Sequence, residues 1–188
     1  THKPDEQDFV GAITKLKEAG CDIVATGLGV RQTIVAYGTA KKLGLDAAFV
    51  GSSAGFNTAV AKVPGGVTEG YYAAAGWSDL EARVASNEEL RNWATSFKTA
   101  FNEDPGTAAQ LGYAAASTLV KALEGAGKDL TPESFQKGME SLSFNDPISD
   151  ADVKYGPDDH QGADVIVISQ IQGGMWKEVA RVDPTQSN

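Results

Sequence analysis

Ala19-Gly20-Cys21-Asp22-Ile23-Val24-Ala25-Thr26-Gly27-Leu28-Gly29 reads as the end of a helix, a short strand and a glycine-bearing turn. Gly20 suits the helix stop, because a left-handed residue costs glycine nothing. Ile23, Val24 and Ala25 form an apolar run too short for a helix, as expected of a parallel strand covered on both faces. Gly27 and Gly29 are expected to let the backbone turn sharply at the strand's C-terminal end. In open α/β sheets ligands bind just outside such ends, so this edge is the first place to look for a site.

The flanks extend the same pattern. Residues 1–7 are polar and loose in character. Asp8 can cap a helix whose apolar positions Phe9, Ile13 and Leu16 recur at helical spacing. Downstream, the pattern predicts a helix over 31–43 with Ile34 and Val35 inward, and Lys41 and Lys42 near its C-terminus, where cations suit the dipole. A strand follows at 47–50, then a second small-residue turn, Gly51-Ser52-Ser53-Ala54-Gly55. A short helix at 57–63 is closed by Pro64-Gly65-Gly66, and a third strand over 68–75 carries Tyr71 and Tyr72. Alternating helix and strand imply α/β architecture with a parallel sheet and right-handed crossovers.

The pattern changes after Gly76-Trp77-Ser78-Asp79. From there to about Leu142 the chain reads as helical. Ser86 with Glu89 looks like a capping box opening a helix through Leu90, Trp93, Phe97 and Phe101. After the Asp104-Pro105-Gly106 turn, 107–124 form a small-residue helix with Leu111, Ala115, Leu119, Ala122 and Leu123. Thr131-Pro132 places a cap and a first-turn proline before a helix with Phe135, Met139 and Leu142. Residues 143–162 are acidic and turn-rich, and 164–182 read as a β-hairpin turning at Gly173-Gly174. No internal repeat appears. A helical layer without strands needs a sheet from elsewhere, so exposed apolar surface is expected over 86–142, covered by a partner chain, a swapped second copy or a missing N-terminal half.

At 188 residues the chain suffices for one domain or two small or incomplete ones. Its net charge of −9 argues against nucleic acid or an anionic membrane as partner. Cys21 is the single cysteine, so no internal disulfide forms, and its place at the start of a buried strand expected over 21–26 suggests a small core residue. No apolar run approaches the roughly 18–20 residues a membrane span requires. The start at Thr1-His2-Lys3-Pro4 reads as that of a processed or cut chain.

Four stretches taken together resemble the C-terminal half of type I periplasmic solute-binding proteins, specifically the branched-chain amino-acid-binding family. They are Asp8-Phe9 leading to Leu16-Lys17-Glu18-Ala19-Gly20-Cys21-Asp22-Ile23-Val24; Ala40-Lys41-Lys42-Leu43-Gly44-Leu45 with Phe49-Val50-Gly51; Phe97 to Phe101 with Pro105-Gly106 and Leu111-Gly112-Tyr113-Ala114-Ala115; and Tyr155-Gly156-Pro157-Asp158-Asp159-His160-Gln161-Gly162 before the hairpin. The resemblance implies an α/β fold of two Rossmann-like lobes, a Venus flytrap closing on a small molecule, present here as a C-terminal fragment. Residues 1–76 and 163–188 would be the incomplete second lobe, and 79–160 the later part of the first. It further implies a periplasmic or lipid-anchored extracellular component of an ABC importer, with a membrane permease as partner, no cofactor and no enzymatic activity. A ligand-sensing domain of a receptor or regulator on the same fold is the alternative.

Carried over residue by residue, the family's ligand contacts fall at Thr26, Gly27 and Leu28, at Ser52, Ser53 and Ala54, and at Ala108; the hinge falls at Gly76, Trp77 and Ser78. Amino-acid binders often carry Asp or Glu near Ser53 to hold the ligand's ammonium, and this chain does not. The resemblance thus implies an amino acid, amide or aromatic or aliphatic carboxylate as ligand, and because a buried ammonium without a carboxylate is costly, the expected one is a carboxylate or amide lacking a free α-amino group. Independently of the resemblance, Gly51-Ser52-Ser53-Ala54-Gly55 matches G-x-S-x-G, the nucleophile elbow of serine hydrolases, with Ser53 as nucleophile and His160 as the candidate base. Gly27-Leu28-Gly29 lacks the third glycine of a dinucleotide fingerprint, Gln32 standing there. Asp146, Asp150, Asp152, Asp158, Asp159 and His160 lack the spacing of a calcium loop and read as a solvated turn region. His2 reads as exposed, and Trp93 and Trp176 as packing residues.

Overall fold

The computed structural model describes Lys3 and residues 5–185; His2 lies outside them. The elements in order are α1 (Val10–Glu18), β1 (Ile23–Thr26), α2 (Val30–Lys42), β2 (Ala48–Gly51), α3 (Thr58–Ala61), β3 (Tyr72–Ala75), α4 (Leu80–Val84), α5 (Glu88–Phe101), α6 (Thr107–Ala126), α7 (Pro132–Glu140), β4 (Ser143–Asp146), β5 (Ala151–Lys154), β6 (Ile166–Gln172) and β7 (Met175–Val182). They form two compact units, Thr1–Ala75 with Val167–Arg181, and Gly76–Ile166 with Val182–Asn188. Among the described residues no helix is long and apolar enough to cross a membrane.

The first unit is built on a five-stranded sheet of order β1-β2-β3-β6-β7. β1 pairs parallel with β2, Ile23 opposite Ala48 and Thr26 opposite Gly51, and β2 pairs parallel with β3. β6 then runs antiparallel to β3, with Tyr72 opposite Gln170 and Ala75 opposite Val167. Gly173 and Gly174 both have positive φ, as a two-residue hairpin loop requires. The Glu69 carboxylate accepts the Gly173 N–H at 2.7 Å, which pins that turn.

Aromatic packing makes this unit's core. Tyr37 meets Phe49 and Tyr71 edge-on, at centroid distances of 5.2 and 5.3 Å. Trp176 lies 4.7 Å from Phe56, and its indole N–H donates to the Asn57 carbonyl at 3.0 Å. Two expectations fail at β1. This strand is the outer one of the sheet, so it is not covered on both faces: Val24 is buried, whereas Ile23 is 66% exposed and Ala25 is open. Cys21 is half-buried rather than a core residue, because it precedes the strand in a turn. The third strand is also shorter than expected, since Thr68 folds back to donate to the Val60 carbonyl at 2.6 Å and Gly70 takes a positive φ.

The second unit is helical around Leu80, Leu90 and Ile148, with Val84 and Trp93 packed against them. α6 and α7 approach backbone to backbone, Gly138 lying against Ala122 and Ala126. The sequence expectation of uncovered apolar surface is met: Phe101, Tyr113, Leu119, Val120 and Leu123 are all exposed, and only Thr107, Gln110 and Ala122 of α6 are buried. A groove of about 780 Å³ runs along this face, walled by Trp93, Phe97, Phe101, Tyr113 and Phe144.

Local caps differ from the reading. Asp8 does not cap α1 at the N-cap position, which Phe9 holds; its carboxylate accepts the Val10 N–H at 2.8 Å from one residue upstream. α5 is capped by Asn87, which accepts the Leu90 N–H at 3.1 Å, while Ser86 donates to the Arg83 carbonyl. The capping box sits instead at α7, between Thr131 and Ser134. The acidic segment after Leu142 is no featureless turn region: β4 and β5 pair antiparallel across it, Phe144 opposite Val153. Polar alternation over four residues left that hairpin without a hydrophobic signal.

Candidate functional site

Two turns leave the C-terminal edge of the first unit's sheet, 26–29 after β1 and 51–55 after β2. The backbone joins them, the Ser52 N–H donating to the Thr26 carbonyl at 3.0 Å. Gly29 is the N-cap of α2 with φ −72°, and none of Gly27, Gly29, Gly51 and Gly55 has positive φ. The turn at Gly27 and Gly29 is therefore made without left-handed backbone. Gly51 and Gly55 are small for a different reason. A Cβ on Gly51 would lie 2.1 Å from the Tyr71 hydroxyl, and one on Gly55 would lie 3.1 Å from Thr33 Oγ1 and 3.3 Å from the same hydroxyl.

Tyr71, 1% exposed, is thus the post under both turns. Its hydroxyl lies 2.7 Å from Thr26 Oγ1, and the neighbouring Thr33 hydroxyl donates to the Leu28 carbonyl at 3.3 Å. Sequence reading missed Tyr71 and Thr33. A tyrosine entering a strand and a threonine in a helix give no local sign that they meet under a turn.

Above this floor Gly27, Ser52, Ser53 and Ala54 are exposed and Thr26 is half-buried. Leu28 is buried, so its side chain anchors the turn in the core. No acidic side chain occurs within 26–29 or 51–55. The other expected residues belong to the second unit. Ala108 is exposed on the first turn of α6, whose N-cap is Gly106. Gly76 is exposed, and Trp77 is half-buried on the wall of a cavity of about 340 Å³ with Tyr155 and Gln161. Ser78 is buried and tightly held: its hydroxyl donates to Asp150 at 2.9 Å, its N–H to the Ser149 carbonyl at 3.0 Å, and its carbonyl accepts from Gln110 Nε2 at 2.8 Å.

The backbone of a nucleophile elbow is absent at Ser53. The elbow nucleophile sits in a strained turn, whereas Ser53 lies in a short 3-10 turn and has no positive φ. The candidate base His160 faces Glu140 at 3.3 Å.

Burial raises the Tyr71 phenol above its ordinary value of 10.0, with hydrogen bonding to Thr26 and Thr33 opposing the shift. A raised folded-state value means that the neutral phenol's contribution to stability is complete below about pH 10 and is lost as pH rises through the folded value. Thermal stability is therefore expected to fall on the alkaline side of about pH 10, and Tyr71→Phe to flatten that limb. Melting curves from about pH 8 to pH 11 check this; an unchanged limb in the variant would assign the effect to other groups.

The family model described as periplasmic binding protein matches residues 1–175. A leucine-, isoleucine-, valine-, threonine- and alanine-binding protein of Pseudomonas aeruginosa is 29% identical over 143 residues, covering 76% of this chain and 36% of that protein. Among solved structures, a fatty acid ABC transporter substrate-binding protein from Thermomonospora curvata superposes with a TM-score of 0.81 at 21% identity, over 97% of this chain and 48% of that one. A leucine-binding protein from Thermotoga maritima gives 0.76 at 18%, over 96% and 50%, and an R. palustris solute-binding protein in complex with benzoate gives 0.75 at 16%, over 94% and 47%. The chain spans about half the length of these structures and about a third of the curated relative. A family model that runs from the first residue to the opening of β7, and a shared fold with three binding proteins, place the chain in the periplasmic binding protein family.

Proposed function

We propose that the chain is part of an extracytoplasmic solute-binding component of an ABC importer, partnered by a membrane permease, and that its ligand is a carboxylate or amide without a free α-amino group. The observation that carries this is the composition of the two turns. They offer the hydroxyls of Thr26, Ser52 and Ser53 with backbone N–H groups, and no acid. Hydroxyls and amide N–H groups suit an anion or a neutral carbonyl. A desolvated ammonium would lack its counter-charge there. The small side chains of Gly27 and Ala54 leave room for an aromatic or extended acyl group. The reading includes Ala108 as a further ligand contact, Gly76, Trp77 and Ser78 as the hinge, and 79–160 as part of a first lobe completed by a segment beyond this chain.

The relatives differ on this point, since one is named for leucine and other amino acids, one for fatty acids, and one holds benzoate. The test is a thermal-shift comparison of the intact protein with leucine, benzoate, benzamide and octanoate. A true ligand at about 100 times its dissociation constant should add about 2.7 kcal/mol. Stabilisation by leucine alone would overturn the assignment of ligand class.

A further inference from the structure

Resting on that reading, we propose that Tyr71 is a positioning residue that makes Thr26 a dedicated hydrogen-bond donor, so that the ligand presents an oxygen acceptor to the end of β1. Each hydroxyl in the cluster has one proton to give. Thr33 gives its own to the Leu28 carbonyl, so toward the phenol it can only accept. Tyr71 is buried, and a buried O–H left undonated carries the full desolvation penalty. The phenol has two hydroxyl neighbours, Thr26 and Thr33, and Thr26 Oγ1 lies at 2.7 Å, the distance of a strong O–H···O bond. A phenol is also the stronger acid of the pair, which favours Tyr71 as the donor.

The consequence falls on Thr26. With a lone pair engaged by the phenol, its own proton turns away from Tyr71. Thr26 ends β1 and is half-buried at the edge where the exposed Gly27 and Ser52 begin the two turns. Donation from the phenol polarises the threonine hydroxyl and strengthens its outward bond, as in other hydrogen-bonded chains. Gly51 and Gly55 belong to the same device: a Cβ on Gly51 would drive the phenol from its place, and one on Gly55 would crowd both it and Thr33. The group read at this point is a carboxylate or carbonyl oxygen, and the selectivity comes from a residue that never touches the ligand.

The direction of the protons is directly measurable. Neutron diffraction from a deuterated crystal of the intact protein is expected to place the Tyr71 deuteron on the line to Thr26 Oγ1, and the Thr26 deuteron off that line. A Thr26 deuteron pointing at Tyr71 overturns the inference, whether or not any ligand binds. Binding gives the second reading, with benzoate as the probe. Thr26→Val lowers benzoate affinity about tenfold, the size of one hydrogen bond to a charged acceptor, and Thr26→Ser, which restores the hydroxyl, recovers most of that loss. Tyr71→Phe lowers affinity while retaining the Thr26 hydroxyl, and leaves the acceptor requirement weaker. Equal affinity in Thr26→Val and wild type overturns the donor role. Absence of benzoate binding in every variant counts against the proposed ligand class, and the neutron map still decides the proton direction.

Discussion

Trp176→Ala is expected to destabilise the first unit by about 3–5 kcal/mol, the range for removing a buried aromatic. The indole is almost fully buried, packs on Phe56 at 4.7 Å and meets Tyr71 edge-on at 6.2 Å. Its removal leaves a cavity against rings that cannot collapse into it, because Tyr71 is fixed at its hydroxyl by Thr26. The lost N–H bond adds little, since the Asn57 carbonyl still accepts from Val60 and Ala61. Domains of this size have only about 5–15 kcal/mol in hand, so much of the unit's stability goes with one side chain. Urea unfolding followed by tyrosine absorbance measures it; a loss below about 1 kcal/mol would mean that the C-terminal hairpin does not seal this core.

Gly138→Val is expected to cost the second unit about 3 kcal/mol, the upper part of the usual overpacking range. Already the first added carbon would stand 2.4 Å from the Ala122 carbonyl oxygen and 3.0 Å from the Ala126 nitrogen. Both are backbone atoms of α6, so relief requires α7 to move as a whole. A control lies in α6 itself. Gly112 has nothing within 4 Å of its added Cβ, so Gly112→Ala is expected to stabilise by up to about 1 kcal/mol through helix propensity alone. Circular dichroism melts of both variants separate packing from propensity. A neutral Gly138→Val would mean that the two helices are not in contact in solution.

The parts of the fold that the sequence made legible are those with strong period or turn chemistry. α2, β2 and the β6–β7 hairpin fall within a few residues of their expected places, because Lys41-Lys42, the Ala48–Gly51 apolar run and Gly173-Gly174 each speak locally. β4 and β5 were illegible because Ser143, Asn145 and Asp152 are polar and the pairing is made by backbone hydrogen bonds. The turns after β1 and β2 were legible as small-residue segments at strand ends, but what their glycines make room for was not. Gly51 leaves space for a phenol contributed from 20 residues further on. Tertiary approach of this kind leaves no mark in a window of neighbouring residues. The same holds for Cys21 and Ile23, whose exposure depends on what lies beside β1.

The antiparallel pairing of β3 with β6 also sets an order of events during synthesis. Gly70 and Gln170, bonded at 3.3 Å, are 100 positions apart, and the intervening chain builds the whole helical unit. At the usual translation rate β3 waits roughly 5–20 s for its partner. Throughout that interval one edge of Tyr72–Ala75 is bare, and the hollow that Trp176 later fills stands open to water. An unpaired strand edge beside unsealed aromatic rings is the kind of surface that captures other nascent chains. The most vulnerable species is therefore the ribosome-bound chain that has already folded its helices and still lacks β6 and β7.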